Sequence, residues 1–97
     1  MARNDNVEIP PADWTQLTNA NALSIRVQSV SATEMMLQAT NGVTAPSTML
    51  GTIVLGGGNV LAADMTIAQL WPGVDGANRV WAFANTASVA SVSHADA

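Results

Sequence analysis

Short stretches of alternating apolar and polar residues, closed by turn signals at intervals of 8 to 12 residues, constrain this chain more than any other feature. The clearest sets Leu23, Ile25 and Val27 against Ser24, Arg26 and Gln28. A period of two gives a β-strand one apolar face and cannot build an amphipathic helix. Val30 breaks the parity, so a bulge or turn begins near Ser29. Residues 34–40 offer a partner strand, with Met35, Leu37 and Ala39 on one face, and the four residues between predict a hairpin. Further strands are expected over residues 13–18, 50–55, 60–65, 79–85 and 89–93. Gly56, Gly57, Gly58 and Asn59 read as a hairpin turn that needs positive φ. Thr66 and Gln69 have the spacing of a capping box, and Pro72 stops the helix after one turn, near residues 67–71. The fold expected is all-β: a small antiparallel β-sandwich or jelly-roll-like barrel of six to seven short strands with one helical turn.

The same alternation selects a core of Leu23, Ile25, Val27, Leu37, Ile53, Leu55 and Leu70, with Val80 or its opposite-parity neighbours Trp81 and Phe83. Residues 1–11 are expected to lie outside it as an extended arm, leaving residues 12–97 as a single β-domain. Asn4, Asp5, Asn6 and Glu8 make half of the first eight residues Asn, Asp or Glu, and Pro10 and Pro11 keep the backbone extended. Val7 and Ile9, followed by Pro10 and Pro11, are the expected intermolecular contacts, made by strand addition to a neighbour's sheet edge.

Composition narrows the function. The 97 residues include three arginines, seven carboxylates, no lysine and no cysteine, while 48% are hydrophobic. An average soluble domain is about 25% charged. A surface this poor in charge suits permanent contact with protein, since interface cores show the same depletion. The net charge of −4, with Arg3, Arg26 and Arg79 scattered, argues against nucleic acid. No apolar run approaches the ~20 residues of a membrane helix, and the first residues lack the apolar core of a signal peptide.

Candidate chemistry is sparse. His94, the one histidine, has Ser91 and Ser93 nearby but no nucleophile elbow, and reads as a surface or interface residue. One histidine without cysteine does not supply the usual zinc ligands. The glycine run lacks the lysine of a phosphate-binding loop. Asp5, Glu8, Asp13, Asp64 and Asp75 match no calcium-loop spacing and read as solvated carboxylates. Trp14, Trp71 and Trp81 fit core packing, with a sugar-binding platform as the alternative. No enzymatic activity and no cofactor are expected.

Three stretches carry a resemblance. Ile9-Pro10-Pro11-x-x-Trp14-Thr15-x-Leu17, Leu37-Gln38-Ala39-Thr40 with Thr44-Ala45-Pro46, and Pro72-Gly73-Val74-x-Gly76-Ala77-Asn78-Arg79-Val80-Trp81-Ala82 resemble small β-rich structural proteins of tailed-bacteriophage virions. The resemblance implies a non-enzymatic virion component, assembled in the host cytoplasm. A head decoration or cement protein is expected first, with the major capsid protein or other virion proteins, and itself, as partners. The alternatives are an oligomeric tail, neck or fibre module, or a carbohydrate-binding β-domain using exposed tryptophans.

Overall fold

The computed structural model describes residues 2–31 and 33–96. Eight strands run in chain order as β1 (Arg3–Ile9), β2 (Thr15–Gln16), β3 (Arg26–Ser29), β4 (Met35–Thr40), β5 (Ile53–Leu55), β6 (Val60–Leu61), β7 (Arg79–Phe83) and β8 (Ser88–His94), with helix α1 (Ile67–Leu70) between β6 and β7. They form two four-stranded antiparallel sheets, ordered β1-β8-β3-β6 and β2-β7-β4-β5. The molecule is the expected all-β sandwich, with its core between the inner faces.

The alternation read from the sequence sets which side chains face inward. Ile9, Ile25, Val27 and Val92 from the first sheet and its approaches meet Leu17, Met35, Leu37 and Val80 from the second, all essentially without solvent contact. Ala39, Ala82, Ala84 and Ala90 fill the remaining inner positions, and such small side chains let the sheets approach closely. Ile53 and Leu70 pack against this core from its margin, while Leu55 is buried. On β7 both parities are covered: Val80 faces the core and Trp81 is buried on the other face.

Leu23 departs from the expected core, being 65% exposed. Strand pairing begins only at Arg26, and the backbone before it bends so that the Leu23 carbonyl accepts the Ile67 N–H at 2.8 Å. The side chain turns outward there, and Ile67 fills the buried position instead.

Both expected hairpins are corrected as well. β3 and β4 lie in opposite sheets, so the Val30 segment crosses between them rather than turning back. The Ser29 hydroxyl donates within the crossing, at 3.0 Å from the Thr33 carbonyl. Gly56 to Asn59 likewise carries the chain from β5 in one sheet to β6 in the other. Only Gly58 of its glycines takes positive φ, at +80°, and its N–H donates to the Ser29 carbonyl at 2.7 Å. A strand's apolar face meets the opposite sheet whichever strand lies beside it, so a change of sheet satisfies the alternation as well as a hairpin does. Only the β4–β5 connection stays within a sheet.

The arm expected over residues 1–11 is an integral part of the fold. β1 pairs with β8 along its whole length, from Arg3 opposite His94 to Ile9 opposite Ser88. Val7 and Ile9 are buried in the chain's own core, so their side chains are not free to fill pockets on a neighbour. Two inward apolar positions suffice for an edge strand, because its outer face remains in water. Pro10 and Pro11 are exposed at the turn that follows.

Helix α1 closes one end of the sandwich through the expected capping box. The Thr66 hydroxyl accepts the Gln69 N–H at 3.1 Å, and Gln69 Oε1 accepts the Thr66 N–H at 2.8 Å.

Candidate functional site

The groups that could carry chemistry are dispersed by the fold. His94 is buried on the inner face of β8, with Nε2 accepting the Asn19 N–H at 3.4 Å and Nδ1 lying 3.1 Å from the Ala95 carbonyl. It is therefore not the surface residue its near-terminal position suggests. Ser91 and Ser93 project from the opposite face, and Ser91 Oγ accepts from Arg26 Nη2 at 3.3 Å. Nucleophile and base are thus not brought together. Among the described residues no three His, Cys, Asp or Glu side chains gather as metal ligands would. Asp5 pairs with Arg3, their Oδ1 and Nε 3.7 Å apart, while Glu8, Asp13, Asp64 and Asp75 are exposed.

Two of the three tryptophans are structural. Trp71 is buried and donates its Nε1–H to the Gly51 carbonyl at 3.1 Å. Trp81 is buried and donates to Thr40 Oγ1 at 2.8 Å. Trp14 is half-buried and tilts against Phe83, with ring centroids 5.4 Å apart. A platform of exposed tryptophans is not what this arrangement presents.

An apolar surface stands out instead, on the second sheet. Strand register sets Phe83 opposite Met36 and Met36 opposite Val54, and extends from Thr15 opposite Ala82 to place Trp14 beside Phe83. Trp14, Phe83, Met36 and Val54 thus form one row across the outer face, with Val54 57% exposed. The row contains no charge. On the first sheet the corresponding face is mostly polar, with Asn4, Ser93 and Arg26 in one row and Asn6, Ser91 and Gln28 in the next, the latter ending in Val60 on β6.

The β4–β5 connection carries exposed apolar side chains of its own, Val43, Met49 and Leu50, the last at 81%. Hydrogen bonds pin both ends of that connection. The Gly42 N–H donates to Asn78 Oδ1 at 2.9 Å, and Gln38 Nε2 donates to the Leu50 carbonyl at 2.6 Å. Gly76 permits the close approach at the first anchor: at φ +66°, a Cβ there would stand 2.6 Å from Asn41 Nδ2. β5 pairs β4 only as far as Leu37, so Gln38, Ala39 and Thr40 have no strand beside them on that edge. A groove of about 670 Å³ opens in its place, walled by Ala39, Pro46, Leu50, Leu70, Trp71 and Val74 among others.

These positions escaped the reading of the sequence, although a signal was present. Ile53, Val54 and Leu55 are apolar without interruption, so one of them has to face outward in any two-faced strand. Met49 and Leu50 sat at the margin of an expected strand rather than in the connection they occupy. No family model, no curated protein and no solved structure matches the chain.

Proposed function

We propose that this protein is a non-enzymatic structural component of a tailed-bacteriophage virion, a decoration or cement protein that attaches to the major capsid protein of the head. The observation that carries the proposal is the charge-free row of Trp14, Phe83, Met36 and Val54 on the outer face, together with the exposed Leu50 and Met49 of the β4–β5 connection. Contiguous exposed apolar surface on a small domain marks a site of association. The rest of the surface is too poor in charge to offset it, with ten charged residues in 97. Attachment through this face buries apolar area at roughly 25 cal/mol per Å² before association costs, and repetition over a lattice adds avidity.

The test is sedimentation of purified chain with heads of the phage that encodes it, with bound copies counted by quantitative mass spectrometry. Val54 and Leu50 are exposed, so Val54→Asp and Leu50→Asp should change stability by less than ~0.5 kcal/mol. Both variants are expected to lose head binding about tenfold, the effect of ~1.4 kcal/mol at the contact. Absence of the chain from purified particles, or undiminished binding by both variants, would overturn the proposal. A few copies at the tail alone would assign it to the tail or fibre instead.

A further inference from the structure

The free edge of β1 is another unsatisfied surface of the molecule. β1 ends the sheet β1-β8-β3-β6, and its seven residues make it the long sheet edge; β2 and β6 have two residues each and β5 three. Very short strands blunt an edge, and a long one invites pairing.

The direction of its backbone groups follows from the neighbouring ladder. Val89 accepts the Val30 N–H at 3.1 Å and donates its own N–H to Ser31 Oγ at 2.7 Å, so its peptide groups face β3. Along an antiparallel strand that direction alternates residue by residue. Ser88, Ala90, Val92 and His94 therefore face β1, where their partners are Ile9, Val7, Asp5 and Arg3. By the same alternation Asn4, Asn6 and Glu8 turn their three N–H and three C=O groups to the open side.

We infer that this edge binds the β1 edge of a second copy of the chain, antiparallel, across a two-fold axis at Asn6. In that register Asn6 faces its own copy, Asn4 faces Glu8, Asp5 faces Val7 and Arg3 faces Ile9. Every outward N–H and C=O of β1 then meets an outward partner, and no like charges stand opposite. The charges and the following proline select this register. Sliding one way by a two-residue step of the pleat sets Asp5 against Asp5 of the second copy, a destabilising opposition. Sliding the other way sets Asn4 against Pro10, which has no N–H to give. Four strands from each copy join into one continuous sheet. The contact is separate from the apolar row, which lies on the other sheet.

Sedimentation equilibrium of the full chain tests this, with two variants at the axis. Asn6→Pro removes an N–H that β8 does not use, as edge strands tolerate. Asn6→Lys keeps the N–H but sets two ammonium groups against each other. Wild type is expected to be a reversible dimer, Asn6→Pro a folded monomer by circular dichroism, and Asn6→Lys a monomer that re-associates as salt is raised. A monomeric wild type at every concentration would overturn the inference, as would a dimer that survives Asn6→Lys at low salt. Should Asn6→Pro fail to fold, Asn6→Lys alone decides. Val54→Asp should leave the dimer intact, which separates this contact from attachment to the head.

Discussion

Ala12 holds φ at +56°, in the left-handed region that L side chains avoid, because the turn after Pro11 must bring its N–H to the Ala84 carbonyl at 2.7 Å. The conformation costs an alanine roughly 1–2 kcal/mol, and glycine returns part of that to unfolded-chain entropy. Ala12→Gly is therefore expected to stabilise the protein by about 0.5–1 kcal/mol, measured by urea unfolding. His94 gives the opposite result. Its ring is buried, so His94→Ala should destabilise by about 1–3 kcal/mol, the cost of emptying a buried position on the inner face of β8. An effect below 0.5 kcal/mol would mean that solvent reaches the site. Position in the chain misled here, because a near-terminal residue looks mobile until the strand that holds it is known. Ile25 is the reverse case, legible from alternation alone and without solvent contact in the fold. Ile25→Ala should cost about 2–5 kcal/mol.

Among the elements, α1 is the one whose boundaries follow from local chemistry. Thr66 and Gln69 satisfy each other's backbone donors, so the helical turn at 67–70 follows from two residues at the right spacing. Thr66→Ala should lower stability by about 1 kcal/mol, read as a shift of the thermal midpoint, and Thr66→Ser should restore most of it. Strand faces were legible for a similar reason, since a period of two is local information. Strand partners were not. The segments between β3 and β4 and between β5 and β6 are short and turn-rich, which suits a crossing between sheets as well as a hairpin. Which one forms depends on the face that the rest of the chain offers. The same blindness hid the role of β1, whose five polar residues among seven conceal two well-placed apolar ones. The apolar row shares this cause. Trp14, Phe83, Met36 and Val54 lie far apart in sequence, and only the register of four strands aligns them.

For the molecule as a whole, β1 belongs to the structure that must survive for anything else to form. Deleting residues 1–9 removes Val7 and Ile9 from the core and strips β8 of one neighbour. Each buried side chain contributes about 1.5–3 kcal/mol, against a total stability of about 5–15 kcal/mol for a domain. The truncated chain is expected to lose its cooperative thermal transition, and a retained transition would show that β1 is dispensable. The path of the backbone has a kinetic counterpart. All connections but one step from one sheet to the other, so neither sheet is a continuous stretch of chain that could collapse first. Loop closure must precede nearly every pairing, which places the protein among slow, high-contact-order folders, in milliseconds to seconds. It also removes any partial structure worth populating. Amide hydrogens in β3, β4, β7 and β8 should exchange at one common rate set by global opening, rather than sheet by sheet. A molecule built this way is either whole or absent, and half-folded copies do not accumulate to mispair with one another.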